Sequence, residues 1–167
     1  PDLRGMYFQA EPPDGDGNGT QLHVEYANFS IMQWRYSAES GAYALWMEEA
    51  VAGGLELALM TDRNNDQAVS FENVIVMYAE YIEYAPSLHD IVLRDAVDYQ
   101  PALLFRDGRV TYGTWRVPEP DRPIIFETSE GDPLPLKPGR TWIVIVGQRS
   151  QTIQPTGGAW EVYFGLP

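Results

Sequence analysis

The sequence predicts a mainly β protein, a single-domain barrel or sandwich of antiparallel strands with one or two short helices, with α+β as the alternative. Three observations carry that reading. Asp107-Gly108 stands between two runs of strand formers, Leu103–Arg106 and Arg109–Arg116, and such a pair favours the positive φ angles of a two-residue hairpin. Pro138-Gly139 makes a turn that delivers Trp142-Ile143-Val144-Ile145-Val146, apolar on both faces and so a core strand with neighbours above and below. Strand signals recur at short intervals along the rest of the chain, separated by glycine and proline clusters.

Residues 1–20 read as a leading arm and loop, because Pro12-Pro13 and the glycines of Asp14 to Gly19 resist helix formation. Residues 21–167 read as one domain. From Leu22 the pattern is strand-like, and Ser37 to Gly41 joins two strands as a hairpin whose alternation sets Met32, Trp34 and Tyr36 against Ile31, Gln33 and Arg35. Met47 to Ala52 reads as a short helix ended by Gly53-Gly54, with Leu55 to Met60 extended. Asp62 to Asp66 is a turn cluster. Asn73 to Tyr84 is the longest β-like run; it sets Val74, Val76 and Tyr78 opposite Ile75, Met77 and Tyr81, which predicts a second central strand. Residues 85–100 are strand or one helical turn. After the Asp107-Gly108 hairpin follow a short strand at Ile124–Thr128, a turn at Glu130 to Pro133, the Trp142 strand and a last strand from Ala159.

Composition excludes several functions. Twenty-four acidic against 11 basic side chains give a net charge of −13, which repels nucleic-acid phosphates and anionic lipid headgroups. Zero cysteines exclude thiolate catalysis, zinc fingers and disulfides. No run reaches the 18 or so apolar residues of a membrane span, and Pro1 to Arg4 lack the basic-then-apolar plan of a secretory signal.

The motifs in order, Trp34 to Tyr43, Asn73-Val74 opening a strand, Phe105-Arg106-Asp107-Gly108 with Gly113-Thr114-Trp115, and Pro138-Gly139 with Thr141-Trp142, resemble the C-terminal domain of the YerB-like lipoproteins, a bacterial family of unknown function. The resemblance covers about residues 5–150. It departs at the acidic insertion from Glu48 to Gly54 and at the tail from Gln151 to Pro167. It implies an extracytoplasmic, cell-envelope protein whose N-terminal domain would precede this chain, with the membrane reached only through a lipid anchor outside it. Partners would be that N-terminal domain and a cell-envelope protein or cell-wall component. The resemblance carries no catalytic residue.

Asp14, Asp16, Asn18 and Glu25, with Gly19 at the sixth position, satisfy the spacing of a calcium loop, in which a hard cation gathers oxygens at about 2.3–2.6 Å. The context is against it. Glu11-Pro12-Pro13 stands where a helix should enter, and the alternative is a solvated turn. No other cofactor is expected. Asp62, Asn64 and Asp66 form a weaker oxygen cluster. Glu80 with Glu83, or Glu48 with Glu49, would serve a hydrolase acting on envelope polymer only if they converged across a cleft. His23 and His89 are too isolated for a triad or zinc site. Asn28-Phe29-Ser30 matches a glycosylation sequon, a pattern short enough to arise by chance. Aromatic platforms are the other route to function. Trp34, Arg35, Tyr43, Arg106 and Trp115 are the expected ligand-binding set of a binding or scaffolding domain.

Overall fold

The computed structural model describes residues 5–27 and 30–167; Pro1 to Arg4, read above for a signal, and Asn28 and Phe29 of the sequon lie outside the described residues. Every regular element is a strand: β1 Tyr7–Phe8, β2 Gly17–Ala27, β3 Ser30–Ser37, β4 Ala42–Val51, β5 Gly54–Leu59, β6 Ser70–Phe71, β7 Asn73–Ala85, β8 Leu88–Val92, β9 Gln100–Arg106, β10 Arg109–Arg116, β11 Ile125–Thr128, β12 Pro135–Leu136, β13 Thr141–Gly147, β14 Gln151–Thr156 and β15 Gly158–Tyr163. The mainly β prediction holds, as a sandwich of mixed sheets and not a closed barrel.

One sheet runs β13-β7-β9-β10, and β11 lengthens it beyond β10. The other runs β14-β15-β2-β3-β4-β5. They join where β10 pairs with the start of β2, Arg109 opposite Asn18 and Val110 opposite Gly17. From Gly19 onward β15 takes over that edge of β2, in parallel. Strand period two then places the side chains. Val74, Val76 and Tyr78 face the core between the sheets, with Leu22, Val24, Trp34, Tyr43, Leu45, Phe105, Val144 and Val146. Ile75, Met77 and Ala79 face a second core with Leu104, Trp115, Phe126, Leu134 and Leu136. The double-sided apolar runs of β7 and β13 are thus explained: each is covered on both faces.

Three expectations are corrected. No helix occurs among the described residues. Met47 to Ala50 continue β4, and Gly53, at φ 116°, closes a tight turn so that Ala50 pairs Leu55 and Trp46 pairs Leu59. Pairing with β5 satisfies those backbone groups and keeps Met47 on the core side, which outweighs the local helix preference of Glu48-Glu49-Ala50. Nor is the pairing purely antiparallel, since β13–β7, β15–β2 and β1–β12 are parallel. Finally, β13 is covered above and below, as expected, but lies at a sheet edge and not centrally: among the described residues it pairs sideways with β7 alone, and the Tyr26 hydroxyl donates to its Ile145 carbonyl at 2.9 Å.

Buried phenols tie the layers together. The Tyr43 hydroxyl donates to the Gly19 carbonyl at 2.8 Å and accepts from the Gly108 amide at 3.1 Å, fastening the Asp107-Gly108 turn to β2. Burial pushes Tyr26 up to about 12 and raises Tyr43 and Tyr78 as well. In the unfolded chain a tyrosine releases its proton near pH 10. Between about pH 10 and 12 the unfolded state therefore binds fewer protons than the native one, so stability that is fully present below pH 10 falls as pH rises. The urea midpoint is expected to drop across that window, less steeply in Tyr26→Phe. A midpoint constant to pH 12 would contradict this assignment.

Candidate functional site

Four of the five residues expected to bind ligand point inward. Trp34 lies in the inter-sheet core against Trp142, ring centroids 5.9 Å apart. Tyr43 is occupied as described. Trp115 fills the second core, and its indole N–H donates to the Tyr78 carbonyl at 3.0 Å, where β7 has left the β9 ladder. Arg106 is 1% exposed. Its Nη1 donates to the carbonyls of Gln9 at 3.1 Å and Pro135 at 2.9 Å, its Nη2 donates to that of Ala10 at 3.1 Å and lies 2.9 Å from the Asp107 carboxylate, and its Nε donates to Asp107 at 3.0 Å. The guanidinium has no donor left to aim outward; it pins the leading arm and β12 to the hairpin. Asp107 in turn accepts from Lys137 Nζ at 2.7 Å. Arg35 alone lies on an outer face, with its guanidinium 3.9 Å from the Trp46 ring centroid, so each covers the other.

The remaining motifs are fasteners too. The Asn73 side chain accepts from the Lys137 amide at 2.7 Å and donates to the Lys137 carbonyl at 2.8 Å, acting as a strand partner for a segment without one. At Gly113 a Cβ would stand 2.7 Å from the Glu127 carbonyl, so only glycine lets β11 approach β10.

The calcium pattern is pulled straight by the sheet. β2 begins at Gly17, so Asn18 and Glu25 lie on one extended strand roughly 23 Å apart, where a twelve-residue loop would fold them together. Asp16 accepts instead from the Tyr112 amide at 2.7 Å. Asp62 bonds the Asn64 amide at 2.8 Å and the Asp66 amide bonds the Asp62 carbonyl at 2.8 Å, a self-closed turn. No group of three or more acidic or histidine side chains is gathered for a metal among the described residues. Glu48 and Glu49 are adjacent on β4, and Glu80 and Glu83 are three apart on β7, so each pair divides between opposite faces.

What the fold does present is a groove of about 500 Å³ between the sheets, lined by Tyr78, Pro101, Leu103, Tyr112, Gln148, Ser150 and Thr152. It lies beside the place where β2 exchanges β10 for β15, so the β9–β10 and β14–β15 hairpins diverge and leave apolar inner-face side chains partly uncovered. Trp160 of β15 stands edge-on to Tyr112 at 6.0 Å, and Thr152 of β14 shares a hydrogen bond with the Tyr78 hydroxyl across the layers. Gln148 bonds Gln100 at the surface. Tyr112 is half exposed. Among the described residues no charged side chain lines this groove, and none of three further grooves, of about 450, 210 and 270 Å³, is lined by two carboxylate side chains. The groove can therefore hold an uncharged, partly apolar ligand, with hydroxyls and an amide to orient it.

In the sequence Tyr78 and Tyr112 stand on runs that read as strands, but nothing there singles out Pro101, Leu103, Gln148, Ser150 and Thr152. They come from strands that meet only through the sheet crossover, and no local pattern marks them.

Residues 22–143 match the family described as protein of unknown function (DUF3048) C-terminal domain. The crystal structure of the YerB protein from Bacillus subtilis is similar in fold, with 21% identity and a TM-score of 0.58 over 84% of this chain and 43% of that one. The chain thus spans less than half the length of YerB, and at this identity the likeness concerns fold alone. No curated protein matches the sequence.

Proposed function

The chain belongs to the family of the protein of unknown function (DUF3048) C-terminal domain, and from that premise we propose that it is a binding or scaffolding domain, without catalysis of its own, of an envelope protein. One observation carries the reading: the motifs that mark the family are spent on internal fastening, while the groove around Leu103 and Tyr112 offers uncharged contact surface and no reactive pair. The motif resemblance to the YerB-like lipoproteins supports an extracytoplasmic setting and a partner that is an envelope protein or cell-wall component. Calcium is not needed by this reading.

The groove has two parents. Tyr78, Pro101, Leu103 and Tyr112 belong to the stretch that matches the family, whereas Gln148, Ser150 and Thr152 lie beyond it.

Chemical-shift mapping with two uncharged probes, indole and an N-acetylglucosamine oligomer, tests the assignment. At millimolar concentration at least one is expected to shift resonances of Leu103, Tyr112 and Thr152, and the shifts are expected to vanish in Tyr112→Lys. Perturbation confined to the Arg35–Trp46 face, or none anywhere, would sink it.

A further inference from the structure

We infer that the groove receives an extended peptide segment of another protein, which adds as a strand to the open edge of β14. The inference rests on the groove being the binding surface and names its occupant. Thr152 of β14 lines the groove, and among the described residues β14 pairs with β15 alone. Gln151, Ile153 and Gln154 are exposed around it. A strand with one free edge presents a row of unpaired amide and carbonyl groups, and these bind backbone rather than any particular side chain. Pro155 lacks an amide proton, so the usable edge is Gln151 to Gln154 and the guest pairs over about four residues.

The neighbouring surface sets what the guest carries. In an added strand every second side chain turns toward the inner layer. There it meets Leu103, Pro101 and Tyr112, which accept apolar groups of moderate size, while Gln148 and Ser150 offer polar contacts at the rim. Outside the groove the chain's net charge of −13 favours lysine or arginine on either side of that apolar centre and disfavours acidic peptides. The same charge opposes a second copy of this chain as the guest, because two such copies repel. A glycan would use the tyrosine faces but would leave the strand edge unpaired.

The test is a displayed library of random nonapeptides selected on the wild-type domain, followed by amide hydrogen exchange with the best binder. Selected peptides are expected to carry apolar residues at alternating positions with basic flanks, and to slow exchange at outward-facing amides within Gln151–Gln154 at least tenfold. Binding is expected to fall at least tenfold when alternate peptide amides are N-methylated, a change that leaves the protein untouched, and also in Tyr112→Lys. It should weaken with added salt. No enrichment, or protection on another strand, overturns the inference. So does dimerisation that protects β14 without peptide. If indole or the glycan still shifts Leu103 and Tyr112 while no peptide does, the peptide falls and the groove remains a binding site; if nothing shifts them, both fall.

Discussion

Arg106→Ala is expected to lower the unfolding free energy by about 3–5 kcal/mol, a loss of roughly 1–3 M in urea midpoint at an m-value of about 2 kcal/mol/M. The size follows from what the side chain leaves behind. Carbonyls of Gln9, Ala10 and Pro135 lose their donor, and Asp107 keeps only the Lys137 ammonium. The buried Pro135 carbonyl stranded in this way costs about 1–3 kcal/mol, those of Gln9 and Ala10, nearer the surface, cost less because water reaches them, and loss of the packed side chain adds the rest. Arg106→Lys should recover little, because one ammonium cannot reproduce a planar fork that spans three carbonyls and a carboxylate. Equilibrium urea unfolding measures both variants. A midpoint within 0.3 M or so of wild type for Arg106→Ala would mean that the arm and β12 are held by something else.

Trp115→Ala should cost a similar amount, about 3–5 kcal/mol, through a different mechanism. Trp115 is fully buried among Leu104, Phe126 and Leu134, and its removal opens a cavity that short strands and loops fill poorly. The Tyr78 carbonyl also loses its indole partner. Trp115→Phe separates the two contributions: the ring volume is largely kept and the hydrogen bond is lost, so a smaller decrease, of about 1–3 kcal/mol, is expected in the same unfolding experiment. Equal losses for the two substitutions would show that the hydrogen bond, and not the packing, dominates at this position.

These two residues also show how far the sequence could be read. Alternation along Asn73 to Tyr84 assigned Val74 and Val76 to one layer and Ile75 and Met77 to another, and the two cores divide along that line. Turn chemistry was equally legible, since Asp107, at φ 51°, and Gly108, at φ 73°, adopt the positive angles of the hairpin. Both signals are local. What was not legible depends on distant partners. The segment around Glu48 has helix-favouring residues, yet its conformation is decided by the ladder to β5. The parallel pairing of β13 with β7 and of β15 with β2 joins segments far apart in the chain, with no turn to announce it. Arg106 looked like a ligand contact because a charged residue beside aromatics usually stands in water. Here three backbone carbonyls and Asp107 take all its directions, an arrangement that appears only once the arm lies across the hairpin. The calcium spacing meets its pattern in full, whereas in the fold Asn18 and Glu25 stand apart because the residues from Gly17 onward are extended in β2.

The division of labour between fastening motifs and the groove is tested most directly by titrating a groove binder, indole or a selected peptide, into Arg106→Lys at a temperature where that variant remains folded. The expected result is a dissociation constant within about twofold of wild type, below 0.5 kcal/mol, in a protein whose urea midpoint has fallen. A tenfold loss of affinity with the midpoint unchanged would place Arg106 at the ligand and contradict it.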